Sequence, residues 1–155
     1  MTAFIVRSLD VRHVAAAAAR YEQADSEVRL VEVTAPVGFP CRVTLDWAQP
    51  GEKVLLFKHN PFNAASPYAE QGPVFARPAG APKVLEIDEL PAYVAVIPQV
   101  VVRGYDAATS ITHAEVVAGR DCAAAIRRAF ANDGVAYVHI RAAAYGCFQF
   151  RVDRA

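Results

Sequence analysis

The chain has 155 residues, 54% of them apolar, and its 16 lysines and arginines balance 16 aspartates and glutamates. One domain spanning residues 1–155 is the expectation at that length, and the apolar content excludes a disordered chain. A neutral balance supplies no positive field for nucleic acid or an anionic membrane surface, and no apolar run reaches the roughly 20 residues of a membrane-spanning helix.

The 3 cysteines, Cys41, Cys122 and Cys147, cannot all pair with one another. No basic segment followed by an apolar stretch opens the chain, and Asp10 interrupts its only apolar start. Free thiols in a reducing cytoplasm are therefore expected. Most of the basic residues are Arg. That suits planar recognition of anions and equally fits codon bias in a GC-rich genome.

Phe4 to Leu9 reads as a first strand, and Asp10 as the N-cap of a helix. Val11, Val14, Ala15, Ala18 and Tyr21 then recur at helical spacing, with Arg12, Arg20 and Glu22 off the stripe. His13 also lies off it and is expected in solvent. Val28 to Thr34 is a strand broken by Pro36, Gly38 and Pro40. Cys41 to Trp47 and Lys53 to His59 flank Gln49-Pro50-Gly51-Glu52, whose Pro-Gly centre is a type II turn pattern, so the flanks are expected to pair as a hairpin. Asn60 to Pro73 carries three prolines and no periodicity, and reads as a long ordered loop of the lid-like kind.

Val74 to Arg77 is a short strand, and Tyr93 to Ile97, bracketed by Pro91 and Pro98, is an edge-strand candidate. Val100 to Tyr105 and Ile111 to Val117 form a hairpin around Asp106 to Thr109. Gly119 to Ala131 is a second helix burying Cys122, Ile126, Ala129 and Phe130, with Gly134 placed to end it in a left-handed cap. Val135 to Val152 is a last hairpin with its loop at Ala142 to Gly146. Setting Arg141 opposite Cys147 gathers Ala136, Val138, Ile140, Val152, Phe150 and Phe148 on one apolar face. The other face then carries Tyr137, His139, Arg141, Arg151, Gln149 and Cys147.

That polar face is the surface with chemistry to offer. A guanidinium beside a thiol favours the thiolate, which marks Cys41 beside Arg42 and Cys147 across from Arg141 as candidate nucleophiles. Both equally suit the role of small buried hydrophobes. His139 is a candidate general base or ligand donor, or an idle strand histidine, and His59 and His113 on flanking strands can converge with it. The loop 66–73 can close over the face and supply Glu70 as acid or base, or simply pack with Tyr68 against a sheet edge. Spaced Cys and His pairs and Asp-rich loops are missing, so no metal is expected. Glycine-rich phosphate loops and Gly-x-Ser-x-Gly elbows are missing too. Arg141 and Arg151 make too small a patch for nucleic acid.

Five stretches in order carry a resemblance: Phe39-Pro40-Cys41-Arg42, Pro50-Gly51-Glu52, Ser66-Pro67-Tyr68, Gly72-Pro73-Val74-Phe75 and Gly146-Cys147-Phe148. The chain resembles a bacterial family of single-domain proteins of about this length, known only as a domain of unknown function. The resemblance covers nearly the whole chain and brings no activity, substrate or cofactor. It implies that the Pro-Cys-Arg and Gly-Cys-Phe stretches belong to one design, and it singles out Cys41, Arg42, Tyr68 and Cys147 for testing.

The expected fold is α+β, with a curved, mainly antiparallel and barrel-like sheet of about seven or eight strands and two helices. The leading functional expectation is a cytoplasmic protein that binds a small anion on the polar hairpin face. Arg42, Arg141 and Arg151 would neutralise the ligand, while His139, Gln149 and Tyr68 orient it and Glu70 lies close by. The alternatives are a thiol-dependent enzyme using Cys41 or Cys147 with His139 as base, and a protein-interaction domain. Neither a cofactor nor an oligomeric state follows from the sequence, and no membrane or nucleic-acid partner is expected.

Overall fold

The computed structural model describes residues 1–155. The chain runs through β1 (Phe4–Arg7), α1 (Val11–Glu22), β2 (Val28–Glu32), β3 (Pro40–Cys41), β4 (Asp46–Trp47), β5 (Lys53–His59) and β6 (Gly72–Ala76). A 3-10 helix at Ala92–Val96 precedes β7 (Val100–Tyr105) and β8 (Ile111–Val117), and a 3-10 turn at Gly119–Asp121 leads into α2 (Cys122–Phe130), β9 (Tyr137–Ala142) and β10 (Phe148–Arg154). The class is α+β. The strands form two open five-stranded sheets, ordered β1-β10-β9-β7-β8 and β2-β5-β6-β3-β4, so the barrel-like closure expected from the sequence is not realised. All pairings are antiparallel except β3 with β6. No helix is long and apolar enough to cross a membrane. Residues 1–7, 60–70 and 84–155 make one compact unit, and residues 8–59 with 71–83 make another.

In the first unit α2 lies against β7, β8 and β9. It buries Cys122, Ala125, Ile126, Ala129 and Phe130, an apolar stripe at helical spacing. The Arg127 guanidinium stands over the Phe4 ring and that of Arg154 over the Phe130 ring, which places α2 on the face of Val152, Phe150 and Ile140. Gly134 does not close the helix in a left-handed conformation. The helix ends at Ala131, whose backbone N–H donates to Arg127 O at 2.9 Å, and beyond it the Asn132 carboxamide oxygen accepts the Gly134 N–H at 2.9 Å.

The β9–β10 register differs from the expected one by two residues: Val138 faces Val152 and His139 faces Arg151. A shift of two preserves side-chain parity, so Val138, Ile140, Phe150 and Val152 keep their apolar face. A bulge at Gln149 then sets Phe148 opposite Arg141 and moves its ring to the His139 face. Where an edge strand is expected at Tyr93 to Ile97, the chain forms the 3-10 helix Ala92–Val96, with Pro91 before it and Tyr93 and Val94 buried.

In the second unit Asp10 caps α1 as expected, accepting the Arg12 N–H at 2.9 Å. The buried residues of α1 are Val14 and Ala17, while Val11 and Tyr21, at either end of the expected stripe, are exposed. The Gln49–Glu52 turn also forms, with Glu52 N–H donating to Gln49 O at 3.0 Å and Gly51 at φ +90°. Its flanks do not pair. β5 lies between β2 and β6, and β4 pairs only with β3 at the sheet edge. The turn is held instead by the chain after β2, through Gly51 N–H to Val33 O and Val33 N–H to Glu52 O. A type II turn matches strand twist poorly, and here it serves as a corner.

Gly119 is the most tightly enclosed glycine of the first unit. Its N–H donates to Ile97 O, and a Cβ there would stand against the Val94 and Ile97 carbonyl oxygens, closer than real Cβ atoms approach. Gly119→Ala is expected to lower stability by roughly 3 kcal/mol, the upper range for overpacking. Urea unfolding checks this, and a midpoint equal to the parent's would show that the 3-10 helix yields freely.

Candidate functional site

β9 is buried along nearly its whole length, although it carries a phenol, an imidazole and a guanidinium. Cross-strand pairing sets three rows on the face away from α2: Tyr105, Tyr137 and Asp153; Arg103, His139 and Arg151; Val101, Arg141 and Phe148. From the sequence this face is expected to be a solvent-facing polar surface. It is instead covered, and His139 is 0% exposed. The imidazole stands 4.8 Å from the Phe62 ring, 4.9 Å from Phe148, 5.1 Å from Tyr105 and 5.2 Å from Tyr137.

The cover is the loop 60–70, and its sequence explains its shape. The Asn60 side chain accepts the Phe62 N–H at 2.9 Å, turning the Phe62 ring onto Tyr105 and His139. The Ser66 hydroxyl donates to Thr109 O at 2.9 Å and accepts the Tyr68 N–H at 3.1 Å, while Ala69 packs on the Phe62–Tyr105–Tyr137 cluster. Tyr68 itself is exposed on the loop, not plugged into a sheet edge. The loop delivers Glu70 to the arginines. Its Oε1 lies 2.6 Å from Arg103 Nη1 and 3.6 Å from Arg141 Nη2.

Arg141 is 7% exposed. Its Nη1 donates to Gly146 O at 3.0 Å, and its Nε is buried with no acceptor. It lies opposite Phe148 and Val101 rather than Cys147, so the expected arginine–thiol pair across the strands is replaced by an arginine among apolar neighbours. Cys147 is half-buried and takes a contact from Gln149 Nε2 at 3.5 Å. Gln149 is buried and its Oε1 accepts from the Tyr93 hydroxyl at 3.1 Å, so it is an interior residue. Arg151 stacks 4.2 Å over the Tyr137 ring and bonds Asp153 at 2.7 Å, and Asp153 also takes Arg7 at 3.0 Å. Arg103 was not singled out from the sequence. Its place beside His139 depends on the pairing of β7 with β9, strands separated by β8 and α2, which no local pattern encodes.

Cys41 and Arg42 belong to the second unit and are fully buried. Burial pushes the Cys41 thiol up. Hydrogen bonds from the Thr44 side chain and from the backbone N–H groups of Thr44, Arg77 and Val43 outweigh it, leaving the thiol below its ordinary value. The Arg77 N–H lies 3.3 Å from Sγ. The Arg77 side chain binds Glu52 at 2.8 Å and Asp46 at 2.6 Å, and with the Gln49 N–H it holds the Glu52 carboxyl near 2. Arg42 Nη1 donates to Pro40 O at 2.7 Å.

His113 does not join His139. His113 lies on the α2 face of the sheet, opposite Gly104, and bonds Glu115 at 3.1 Å, while His59 sits in the second unit with its ring 4.8 Å from His13. Burial raises the Cys122 thiol to about 12. No group of three His, Cys, Asp or Glu side chains is placed to hold a metal ion.

A family model described as "Protein of unknown function (DUF1203)" matches residues 38–154, a span that contains every candidate residue above. No curated protein and no solved structure matches the chain.

Burial, reinforced by His13 and Arg42, holds His59 down to about 4. Between about pH 6.5 and 4 the unfolded chain binds a proton there that the folded protein refuses. Stability from this residue is therefore complete above about pH 6.5 and falls by about 3 kcal/mol as the pH drops to 4. His59→Gln is expected to flatten that part of the profile of urea midpoint against pH. An unchanged slope would assign the acid sensitivity to other groups.

Proposed function

We propose that the chain, which belongs to the DUF1203 family of proteins of unknown function, binds a small anion between Arg103 and Arg141 beneath the loop 60–70. The observation that carries this reading is the state of Arg141. A guanidinium removed from water needs charge and hydrogen-bond compensation. Arg141 receives one carbonyl, at Nη1, and its nearest carboxylate oxygen stands at 3.6 Å, beyond hydrogen-bond length. Its Nε–Nη2 edge, the side that binds a planar anion through two parallel bonds, carries no hydrogen bond. Arg103 adds a second positive charge beside it. From the sequence this role is expected of Arg42, Arg141 and Arg151. Arg151 is committed to Asp153 and Tyr137, and Arg103 takes its place, with His139 and Gln149 supporting the sheet from within.

The reading is checked by thermal and urea unfolding in acetate, phosphate and sulfate at matched ionic strength. A bound anion at a hundred times its Kd is expected to stabilise the protein by about 2.7 kcal/mol. Arg141→Lys keeps the charge and removes the fork, and Arg103→Gln removes the second cation. Both are expected to weaken the effect at least tenfold in apparent Kd. Equal anion-induced shifts in the parent and both variants would end this reading.

A second reading, a thiol-based reaction at Cys41, is favoured by the cradle of N–H groups that holds its thiol low despite burial. On this reading the native protein alkylates at Cys41 with an apparent pKa below the free value of about 8.5, followed by peptide mass spectrometry across pH. A Cys41 that stays unmodified until the protein unfolds would remove it.

A further inference from the structure

We infer that the ligand of the Arg103–Arg141 site is a carboxylate with an apolar body, and that Glu70 holds its place in the ligand-free protein. This inference rests on the anion-site reading above. Three observations carry it.

First, a carboxylate oxygen already stands between the two guanidiniums, 2.6 Å from one and 3.6 Å from the other. The space therefore accepts that group, yet Glu70 reaches it from a loop and hydrogen-bonds only Arg103, through Nη1. A free carboxylate, not bound by the loop's reach, can present both oxygens to the unused Nε–Nη2 edge of Arg141. Second, the Glu70 side chain can turn outward about its own torsions. It is 49% exposed, and the backbone is anchored without it on both sides, before it at Phe62 on the ring cluster, at Ser66 on Thr109 O and at Ala69 on the Phe62–Tyr105–Tyr137 cluster, and after it at Gly72 in β6. Third, the partners of Arg141 across β7 and β10 are Val101 and Phe148. A hydrated polyanion would lose solvation against them, whereas an apolar body attached to one carboxylate gains by burial there. The arrangement is a tethered carboxylate in competition with a free one. The affinity for ligand is reduced by the fraction of time Glu70 occupies the site.

Isothermal titration of the parent and of Glu70→Gln with benzoate, acetate and inorganic phosphate at fixed ionic strength tests this. Glutamine retains the size of the side chain and removes the competing charge, and a melting curve confirms that the variant is folded. Glu70→Gln is expected to bind benzoate at least tenfold more tightly than the parent, and benzoate more tightly than phosphate or acetate. Introducing Arg141→Lys into Glu70→Gln is expected to abolish that gain. If benzoate affinity is unchanged or weaker in Glu70→Gln while anion binding still depends on Arg141, Glu70 is no competitor, and this inference fails while the anion site stands. If Glu70→Gln prefers phosphate, the carboxylate assignment is overturned. If neither protein binds any of the three anions, the anion-site reading falls as well.

Discussion

β9 has to be buried on both faces while carrying Tyr137, His139 and Arg141, and much of the first unit follows from that constraint. A strand covered on both sides normally reads as a continuous apolar run, because a buried polar group without a partner costs on the order of 1–3 kcal/mol. Here the partners are brought from distant parts of the chain. The Thr109 hydroxyl takes the Tyr137 phenol at 3.1 Å, four aromatic rings surround the imidazole, and the Gly146 carbonyl and Glu70 face the guanidinium. The loop 60–70 is thus part of the sheet's packing before it is anything else. Its Asx turn and its serine anchor hold Phe62 where an exposed strand would have met water.

Two charge groups on that face contain the same parts and differ in closure. Asp153 sits between Arg7 and Arg151 at 3.0 and 2.7 Å, one carboxylate bonded to two cations. Glu70 sits between Arg103 and Arg141 at 2.6 and 3.6 Å, bonded to one cation and only near the other. The first group is partly exposed, where an imperfect pair costs little because water and salt screen it. The second contains the most buried arginine of the face, where the same imperfection is expensive. Geometry is therefore poorest where desolvation makes it matter most. A pair selected only for stability would have the opposite distribution, with its closest bonds around Arg141.

Most local signals in the sequence held where a few adjacent residues decide the outcome, the exceptions being the Gly134 cap and the strand expected at Tyr93 to Ile97. The Asp10 cap, the β7–β8 hairpin, the apolar stripe of α2 and the Pro50-Gly51 turn all form as their residue types require. What escaped reading depends on contacts between distant parts of the chain. A turn fixes the direction of its flanks but not their partners, so the Gln49–Glu52 turn was legible and the separation of β4 from β5 was not. Side-chain parity in β9 and β10 was legible because a one-residue slip would expose the aliphatics, whereas a two-residue shift leaves that pattern unchanged and cannot be excluded by it. The bulge at Gln149 has no residue signature of its own, and it is what carries Phe148 to the His139 face. The candidate site divides along the same line. Arg141 and Glu70 were visible as residue types in suggestive places. Arg103 became visible only through the pairing of β7 with β9.

The two cysteine stretches share a structural logic that needs no reactivity. Cys41 ends β3 where the chain turns sharply through Leu45, at φ +54°, and Cys147 precedes the bulge of β10. Each place interrupts regular strand pairing, and an interrupted ladder leaves donors without their usual carbonyls. A thiol is small enough to enter such a defect and is a weak acceptor, so the Arg77 backbone N–H turns to Cys41 Sγ, while at Cys147 the Gln149 side-chain amide lies on both the Cys147 carbonyl oxygen and Sγ. Serine would fit the same volume but would bring a hydroxyl that itself needs an acceptor when buried. At Cys41 the donors are numerous enough to outweigh burial and hold the thiol below its ordinary value.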